Sequence, residues 1–104
     1  MKRFRDVNGR QVRLTDERWG HIEKEHPEMT GRLENIEATL LFPDKIIRSR
    51  TDAEVELFYR DYEATPVSHK LLCVVVKAVP DDSFMITAYF TDTVKKGLVL
   101  WEKK

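Results

Sequence analysis

The sequence predicts an α+β fold, in which an N-terminal hairpin and two short helices pack on one face of an antiparallel sheet of about four or five strands. Three features predict it. Asn8-Gly9 lies between two short strand-like runs, two stretches with helical apolar spacing follow, and strand-like runs alternate with short turns from Lys45 onward. Turns this short join neighbouring strands, so we expect an antiparallel meander in sequence order.

The hairpin is predicted from its turn residues. Phe4–Val7 and Gln11–Leu14 flank Asn8-Gly9, a pair that favours positive φ at both central turn positions. The hairpin carries several arginines, which suit a solvated position better than a sheet centre. We therefore place the hairpin at the periphery of the fold.

Two consecutive helices follow the hairpin. Thr15 is a good N-cap for a first helix that runs to about His26, where Pro27 disfavours continuation. The second helix begins either at Pro27 itself or after a cap at Thr30, and Phe42-Pro43 ends it. Both helices have one apolar side, so both should cover the sheet.

The remaining chain consists of predicted strands and turns. The strands are Lys45–Arg50, Val55–Tyr62, Lys70–Val79, Phe84–Thr91 and Leu98–Trp101. The main connections are the loop Ala64–His69 and a four-residue turn at Pro80–Ser83. Lys70–Val79 is the most apolar run and is therefore expected at the centre of the sheet.

The strand FMITAYFTD has two different faces, because side chains alternate along a strand. One face is predicted to enter the core and consists of Phe84, Ile86, Ala88 and Phe90. The other face carries hydroxyls and consists of Met85, Thr87, Tyr89 and Thr91. Such a polar face can be the solvent side of the sheet or one wall of a functional cleft.

Length and composition limit the class of protein. A chain of 104 residues predicts one domain, residues 1–104, and the net charge of zero argues against nucleic-acid binding by the field of the whole protein. The single cysteine, Cys73, lies in an apolar run and is expected to be a buried, inert thiol. Neither a secretory signal nor a membrane span is predicted, so we expect a cytoplasmic protein.

Two histidines on the first helix are candidates for proton transfer. His21 and His26 diverge by about 140° at helical spacing, so they do not form a zinc pair, and we predict no metal and no cofactor. His26 lies on the apolar stripe with Trp19 and Ile22, whereas His21 points to nearly the opposite side. Either imidazole could act as general acid or base, since it titrates near neutral pH.

Cations and hydroxyls on the strands complete the candidate site. Lys77 is expected roughly opposite Met85 to Thr87 across the turn, with Arg60 one strand further. A cation, hydroxyl donors and an imidazole suit metal-free phosphodiester chemistry, in which a ribose 2′-OH attacks the phosphate. The alternative for Lys77 is an ion pair with Glu56 or Asp61.

The succession LTDERWGHIEKEHPEM, ATLLFPDKIIRS, LFYR, LLCVVVK and FMITAYFTDTVKKGLVLW resembles the phage- and cyanobacterium-type branch of the Barnase/EndoU/colicin/RelE-like nuclease superfamily. The resemblance extends from Val12 to Trp101. It implies two helices followed by an antiparallel sheet, and a metal-independent endoribonuclease that is the toxin of a toxin–antitoxin pair or a phage-linked effector. The matching catalytic positions are His21, His26, Arg60, Lys77, Thr87 and Tyr89.

RNA and a neutralising protein are the partners that this resemblance implies. The candidate RNA-binding residues are Arg48, Arg50, Thr91, Lys95 and Lys96. RelE-like toxins are usually basic whereas this chain is neutral, which favours a small or structured RNA such as tRNA over ribosome-bound RNA. An antitoxin or immunity protein is the expected protein partner. The alternative function is a non-catalytic module that binds RNA or protein with the same fold.

Overall fold

The chain forms an α+β structure, in agreement with the predicted class. The computed structural model describes residues 1–62 and 70–104, so the predicted loop Ala64–His69 lies outside the described residues. The elements are β1 (Lys2–Arg5), β2 (Gln11–Leu14), α1 (Asp16–Glu25), a 3₁₀ helix (Pro27–Met29), α2 (Leu33–Leu41), β3 (Lys45–Arg48), β4 (Val55–Tyr62), β5 (Lys70–Val79), β6 (Asp82–Thr91) and β7 (Leu98–Glu102).

The sheet is larger and less regular than a four- or five-stranded meander. In the described ranges it has seven strands in the order β1-β2-β6-β5-β4-β3-β7. Strands β3 to β6 form the expected antiparallel meander, but the hairpin joins the sheet through a short parallel contact that pairs Val12 with Ser83 and Arg13 with Phe84. Strand β7 pairs with β3 at the far edge instead of with β6. Both differences are pairings between segments distant in sequence.

The hairpin lies at the sheet edge as predicted, but its turn is of another type. Gly9 has a φ of +82°, whereas Asn8 does not adopt positive φ. The Gly9 N–H donates to the Asp6 carbonyl at 3.0 Å, and the Asp6 N–H donates to the Arg10 carbonyl at 2.9 Å. This is a three-residue connection with glycine in the left-handed position, which needs positive φ only once.

The first helix begins where the sequence predicts, but the second helix does not. The Thr15 hydroxyl accepts a hydrogen bond from the Arg18 N–H at 3.1 Å, so Thr15 caps α1 as expected. Pro27 does begin a helical turn, but that turn is a separate 3₁₀ helix. Arg32 occupies the N-cap position of α2, so the alternative of a cap at Thr30 is wrong.

The core lies between the helices and one face of the sheet. Apolar side chains of the helical segments pack on apolar side chains of the central strands, and the buried members include Ile22, Met29, Ile36, Leu40, Val12, Leu14, Phe58, Leu72, Val74, Val76 and Met85. Burial of each large side chain stabilises the fold by about 1.5–3 kcal/mol. The other side of the sheet carries a second cluster of buried side chains, which consists of Ile47, Val55, Leu57, Tyr59, Cys73 and Val75. The connection from β6 to β7 contacts this side, where the Lys95 N–H donates to the Tyr59 hydroxyl. We call it the open face, because the helices do not cover it.

A bulge in β6 changes which side chains face the core. The register with β5 shifts between Val75 and Val76. Met85 and Thr87 therefore pair with consecutive residues of β5, and Ile86 between them is the extra residue of the bulge. Met85 is consequently in the core under the helices, whereas Ile86 packs against the buried cluster on the open face and Phe84 belongs to neither cluster. This corrects the predicted alternation at this end of the strand. Beyond the bulge the prediction is right: Ala88 and Phe90 contact the core.

The turn between β5 and β6 is tighter than predicted. Val79 already pairs with Asp82, so the connection consists of Pro80 and Asp81 instead of four residues. Asp81 has a φ of 62°, a conformation that aspartate tolerates better than most residues. Among the described residues, none of the helices has the length and apolar character needed to cross a bilayer.

Candidate functional site

Three side chains form a row across the middle of the open face. Tyr59 on β4 lies opposite Cys73 on β5, and Cys73 lies opposite Tyr89 on β6. Tyr59 and Cys73 are buried, while Tyr89 is partly buried. We call these three residues the tyrosine row. They share one face because directly paired residues of a sheet point to the same side.

The tyrosine row is a set of neutral hydroxyl and thiol groups at neutral pH. Burial raises the pKa of Tyr59 to about 12 and that of Cys73 to about 11, although hydrogen bonds from the tyrosines to the thiol act in the opposite direction for Cys73. Burial also raises the pKa of Tyr89 well above its usual value. Tyr89 therefore keeps its proton and serves as a hydrogen-bond donor, not as a base. The high pKa of Cys73 agrees with an inert thiol.

His26 stands at one end of the tyrosine row. It follows the last residue of α1, and its ring centroid is 5.5 Å from that of Tyr89, with the ring planes inclined at 32°. This contact is possible because β2 pairs with β6 only at Ser83 and Phe84, which leaves the rest of that edge of β6 to the end of α1. The His26 side chain is about one-third exposed, at 32%, and its Nδ1 is 3.9 Å from Glu28.

Thr87 lies on the open face next to the tyrosine row. It pairs with Val75, and this pair is the next one on the open face after Cys73 and Tyr89. Thr87 Oγ1 is buried and has no hydrogen-bond partner among the residues that the structure describes. Buried hydroxyls are rarely left without a partner, so the Thr87 hydroxyl keeps an unused capacity to donate a hydrogen bond.

A basic and aromatic group lies at the other end of β6. The Arg13 guanidinium is 5.0 Å from the centroid of the Phe84 ring and donates to both carboxylate oxygens of Asp82, at 2.9 and 3.0 Å. Arg13 borders a cleft of ≈ 530 Å³ beside the β5–β6 turn and a second one of ≈ 220 Å³ that Arg18 also lines. The prediction from sequence missed Arg13 and Phe84, because their proximity depends on the parallel β2–β6 contact.

Lys77 is on the open face but is already paired. Its ammonium is 2.6 Å from Asp52 and 3.5 Å from Glu54, both in the β3–β4 connection, so the expected partners Glu56 and Asp61 are wrong. The hydrogen bond to Asp52 raises the pKa of Lys77. Lys77 pairs with Phe84 instead of Met85 to Thr87, which moves it towards the Arg13 end of β6.

Two predicted catalytic residues do not join this group. Arg60 lies on the helix side of β4 with Phe58, and its guanidinium donates to the Phe42 carbonyl at 2.5 Å. His21 is 55% exposed on α1, with Nε2 at 3.9 Å from Glu17. The predicted convergence of six residues is therefore reduced to His26, Thr87 and Tyr89, with Lys77 further along the same face.

The predicted RNA-binding residues also divide between two places. Arg48 pairs with Glu56 on the helix side of the sheet, and Arg50 lies beyond the end of β3. Thr91 lies on the open face at the end of β6, where its hydroxyl bonds to the Thr93 carbonyl at 3.3 Å. Exposed Lys95 and Lys96 follow, and the Lys95 N–H donates to the Tyr59 hydroxyl at 3.1 Å.

This arrangement can donate hydrogen bonds, accept a proton at an imidazole and attract phosphate. Within residues 1–62 and 70–104, no group of three or more His, Cys, Asp or Glu side chains is gathered as a metal site requires. No family model, curated protein or solved structure matches this chain. The resemblance to the nuclease superfamily therefore stays a prediction, and the function is inferred from the open face.

Proposed function

We propose that this chain is a metal-independent endoribonuclease with a RelE/barnase-like arrangement of helices and sheet. In this proposal it acts in the cytoplasm as the toxin of a toxin–antitoxin pair or as a phage-linked effector, and an antitoxin or immunity protein restrains it. Its substrate is RNA, for which tRNA is the leading candidate because the chain carries no net charge.

One observation carries the proposal: the His26 ring is 5.5 Å from the Tyr89 ring on the open face. Next to Tyr89 is the Thr87 hydroxyl, for which residues 1–62 and 70–104 supply no hydrogen-bond partner. An imidazole next to two hydroxyl donors is a combination that can take a proton and stabilise an anion at one place. The helix and the strand that bring these groups together are distant in sequence. Packing of α1 on the sheet therefore creates the site.

The proposed reaction is cleavage by the ribose 2′-OH. The neutral imidazole of His26 takes the 2′-OH proton, and the 2′ oxygen attacks the adjacent phosphorus. The bond from phosphorus to the 5′ oxygen breaks, and that oxygen takes a proton from water. The products are a 2′,3′-cyclic phosphate and a free 5′-OH. The Thr87 hydroxyl donates to a phosphate oxygen as negative charge develops, and the Tyr89 hydroxyl does so after it turns away from the Cys73 thiol.

Cations on the open face are proposed to hold the RNA backbone on either side of the cut. Lys95 and Lys96 follow β6 at the tyrosine-row end, and Arg13 and Lys77 lie at the opposite end of that strand. Phe84 under Arg13 offers a surface on which a base can stack. An RNA strand laid along β6 would contact both ends.

The direct test is incubation of the purified protein with tRNA, mRNA and ribosome-bound RNA in the presence of EDTA. The proposal predicts fragments that end in a 2′,3′-cyclic phosphate, identified by mass spectrometry. It also predicts growth arrest on expression. Intact RNA across all three substrate classes would contradict the proposal, and so would cleavage that EDTA abolishes.

A second candidate is a non-catalytic module that binds RNA or protein through the open face. It is favoured by the ion pairs that already occupy Lys77 and Arg13, which reduce the positive charge available to a transition state. The two candidates differ in one measurement. Equal RNA binding by the wild type and His26→Ala, with no cleavage by either protein, would select the binding module.

A further inference from the structure

Strand β7 forms an exposed apolar edge of the sheet. Leu98 is 58% exposed, Val99 47% and Leu100 36%, and Val94 in the preceding connection is 39% exposed. One side of β7 pairs with β3, while its other side forms no ladder with any strand in the described ranges. An edge that is both apolar and unpaired is a ready template for another strand.

The opposite edge of the sheet shows how this chain protects an edge from pairing. Strand β1 exposes Lys2, Arg3 and Arg5, and only Phe4 is buried. Charged side chains on an edge strand discourage the approach of another strand. Strand β7 lacks this protection along its apolar stretch. Trp101 packs against the core and fixes the strand in place, so its exposure is not the result of a detached end.

Lysines surround the apolar stretch at both ends. Lys95 and Lys96 precede β7, and Lys103 and Lys104 follow it. Lys103 is 3.4 Å from Asp44, whereas the other three form no ion pair with any residue in the described part of the chain. The edge therefore combines unpaired backbone groups, exposed aliphatic side chains and a concentration of positive charge.

The lysines indicate which kind of protein segment can pair with the β7 edge. A second copy paired antiparallel about the middle of β7 would bring Lys95 and Lys96 of one chain towards Lys103 and Lys104 of the other. Like charges across a strand pair are destabilising. An occupant with acidic residues would instead meet positive charge at both ends, so charge complementarity favours a different protein over a second copy.

We propose that the outer edge of β7 binds an extended segment of another protein, with apolar residues in its middle and acidic residues at both ends, as an added strand. Main-chain hydrogen bonds along β7 hold the segment, and its apolar side chains pack beside Leu98, Val99 and Leu100. Its carboxylates approach Lys96 and Lys104. This interaction does not depend on ribonuclease activity, because β7 lies at the opposite side of the sheet from His26.

The probe is a synthetic peptide of about eight residues, a usual strand length, with Val in the middle and Glu at both ends. Titrated into ¹⁵N-labelled protein, it should shift the backbone amides of Leu98–Glu102, and the shifts should weaken with added salt. Two matched peptides serve as controls. One carries Lys in place of Glu, and the other is N-methylated at alternate backbone nitrogens and keeps every side chain. Neither should bind.

Variants of the protein test the same surface. Leu98→Glu and Lys96→Glu should each weaken binding of the acidic peptide about tenfold, because each places a negative charge where the peptide is negative. Lys2→Glu makes the same charge change as Lys96→Glu, but on the other edge, and should leave binding unchanged. Circular dichroism checks that all variants are folded, as expected for substitutions at exposed positions.

Three results would overturn the proposal. They are absence of shifts in β7 at millimolar peptide, equal binding of the lysine peptide or of the N-methylated peptide, and a concentration-dependent dimer of the wild type that Leu98→Glu abolishes. The last result would assign the edge to a second copy of the chain. RNA cleavage by the wild type, measured separately, should be the same in Leu98→Glu.

Discussion

At the scale of single residues, the site depends on the direction in which each side chain points. Helical periodicity placed His26 on the apolar stripe of α1 and His21 on the other side. In the structure His21 is exposed on α1, whereas His26 follows the last residue of the helix and is about one-third exposed. Periodicity could not identify Tyr89 as the neighbour of His26, because that contact joins a helix end to a strand far along the chain. Strand alternation likewise placed Thr87 and Tyr89 together without revealing what faces them.

The two histidines provide a matched pair of substitutions. We expect His26→Ala to lower the rate of RNA cleavage about 10²–10⁴-fold, which is the usual contribution of a general acid or base. His21→Ala, on the same helix but exposed, should keep a rate close to that of the wild type. The measurement is the initial rate of cleavage with each purified protein at equal concentration. A larger loss in His21→Ala than in His26→Ala would assign proton transfer to the other histidine.

Because of the tyrosine row, we expect the free energy of unfolding to fall at high pH. Burial raises the pKa of Cys73 from 9.0 to about 11 and that of Tyr59 from 10.0 to about 12. The unfolded chain releases these two protons at lower pH than the folded chain does. The contribution of the two groups to the free energy of unfolding is therefore complete below about pH 9, and it is lost as pH rises through their pKa values in the folded state.

Urea unfolding from pH 7 to pH 11 measures this effect as the change in the free energy of unfolding. Cys73→Ala and Tyr59→Phe each remove one of the titrating groups. Both variants should therefore lose less stability than the wild type over that interval, whatever their stability at pH 7. Parallel curves for the wild type and both variants would show that these groups do not titrate differently in the two states.

At the scale of secondary-structure elements, local signals located nearly every helix and strand, but not their pairing. The Thr15 cap, the helix stop before Pro27 and the apolar run of β5 are properties of neighbouring residues, so the sequence reveals them. The β6 bulge and the position of β7 depend on partners elsewhere. That is why Phe84 was assigned to the core and β7 to the neighbourhood of β6.

Gly97 is required for the path by which the chain reaches β7. A Cβ at this position would overlap the backbone oxygen of Arg48 and come within 2.7 Å of Ile47 Cγ2. Gly97→Ala should therefore displace β7 from β3 and lower the free energy of unfolding by about 1–3 kcal/mol. Chemical denaturation measures the loss.

Gly20 offers the control for that substitution. It lies in α1, and a Cβ there would meet nothing within 4 Å. Because alanine is the better helix former, Gly20→Ala should raise the free energy of unfolding by about 0.5–1 kcal/mol. If both variants changed stability in the same direction, the close approach of Gly97 to β3 could not be the cause.

At the scale of the whole molecule, the hairpin closes one side of the fold through a network of charges. The Asp6 carboxylate is buried and accepts from the Asn8 and Arg10 N–H groups at 2.9 Å and from Arg10 Nε at 2.8 Å. The same guanidinium reaches Glu56 on β4 at 2.6 and 3.1 Å. The turn residues Asn8-Gly9 revealed the hairpin but not this connection, which spans two other strands.

Loss of Arg10 should therefore weaken the whole fold. Arg10→Ala leaves the buried Asp6 carboxylate without its cation, and we expect the free energy of unfolding to fall by about 2–3 kcal/mol. Arg5→Ala, in the same hairpin but exposed, should change it by less than about 0.5 kcal/mol. Equal effects of the two substitutions in urea denaturation would mean that the network contributes little.

The proposed function requires RNA to bind the open face of the sheet beside His26. The most direct measurement is the map of backbone and imidazole NMR shifts when a 2′-O-methylated RNA, which cannot be cut by its own 2′ oxygen, is added to ¹⁵N-labelled protein. We expect the largest shifts at His26, Thr87 and Tyr89, with smaller ones at Arg13 and Lys95. Shifts confined to α2 and the helix side of the sheet, or the absence of any shift, would contradict it.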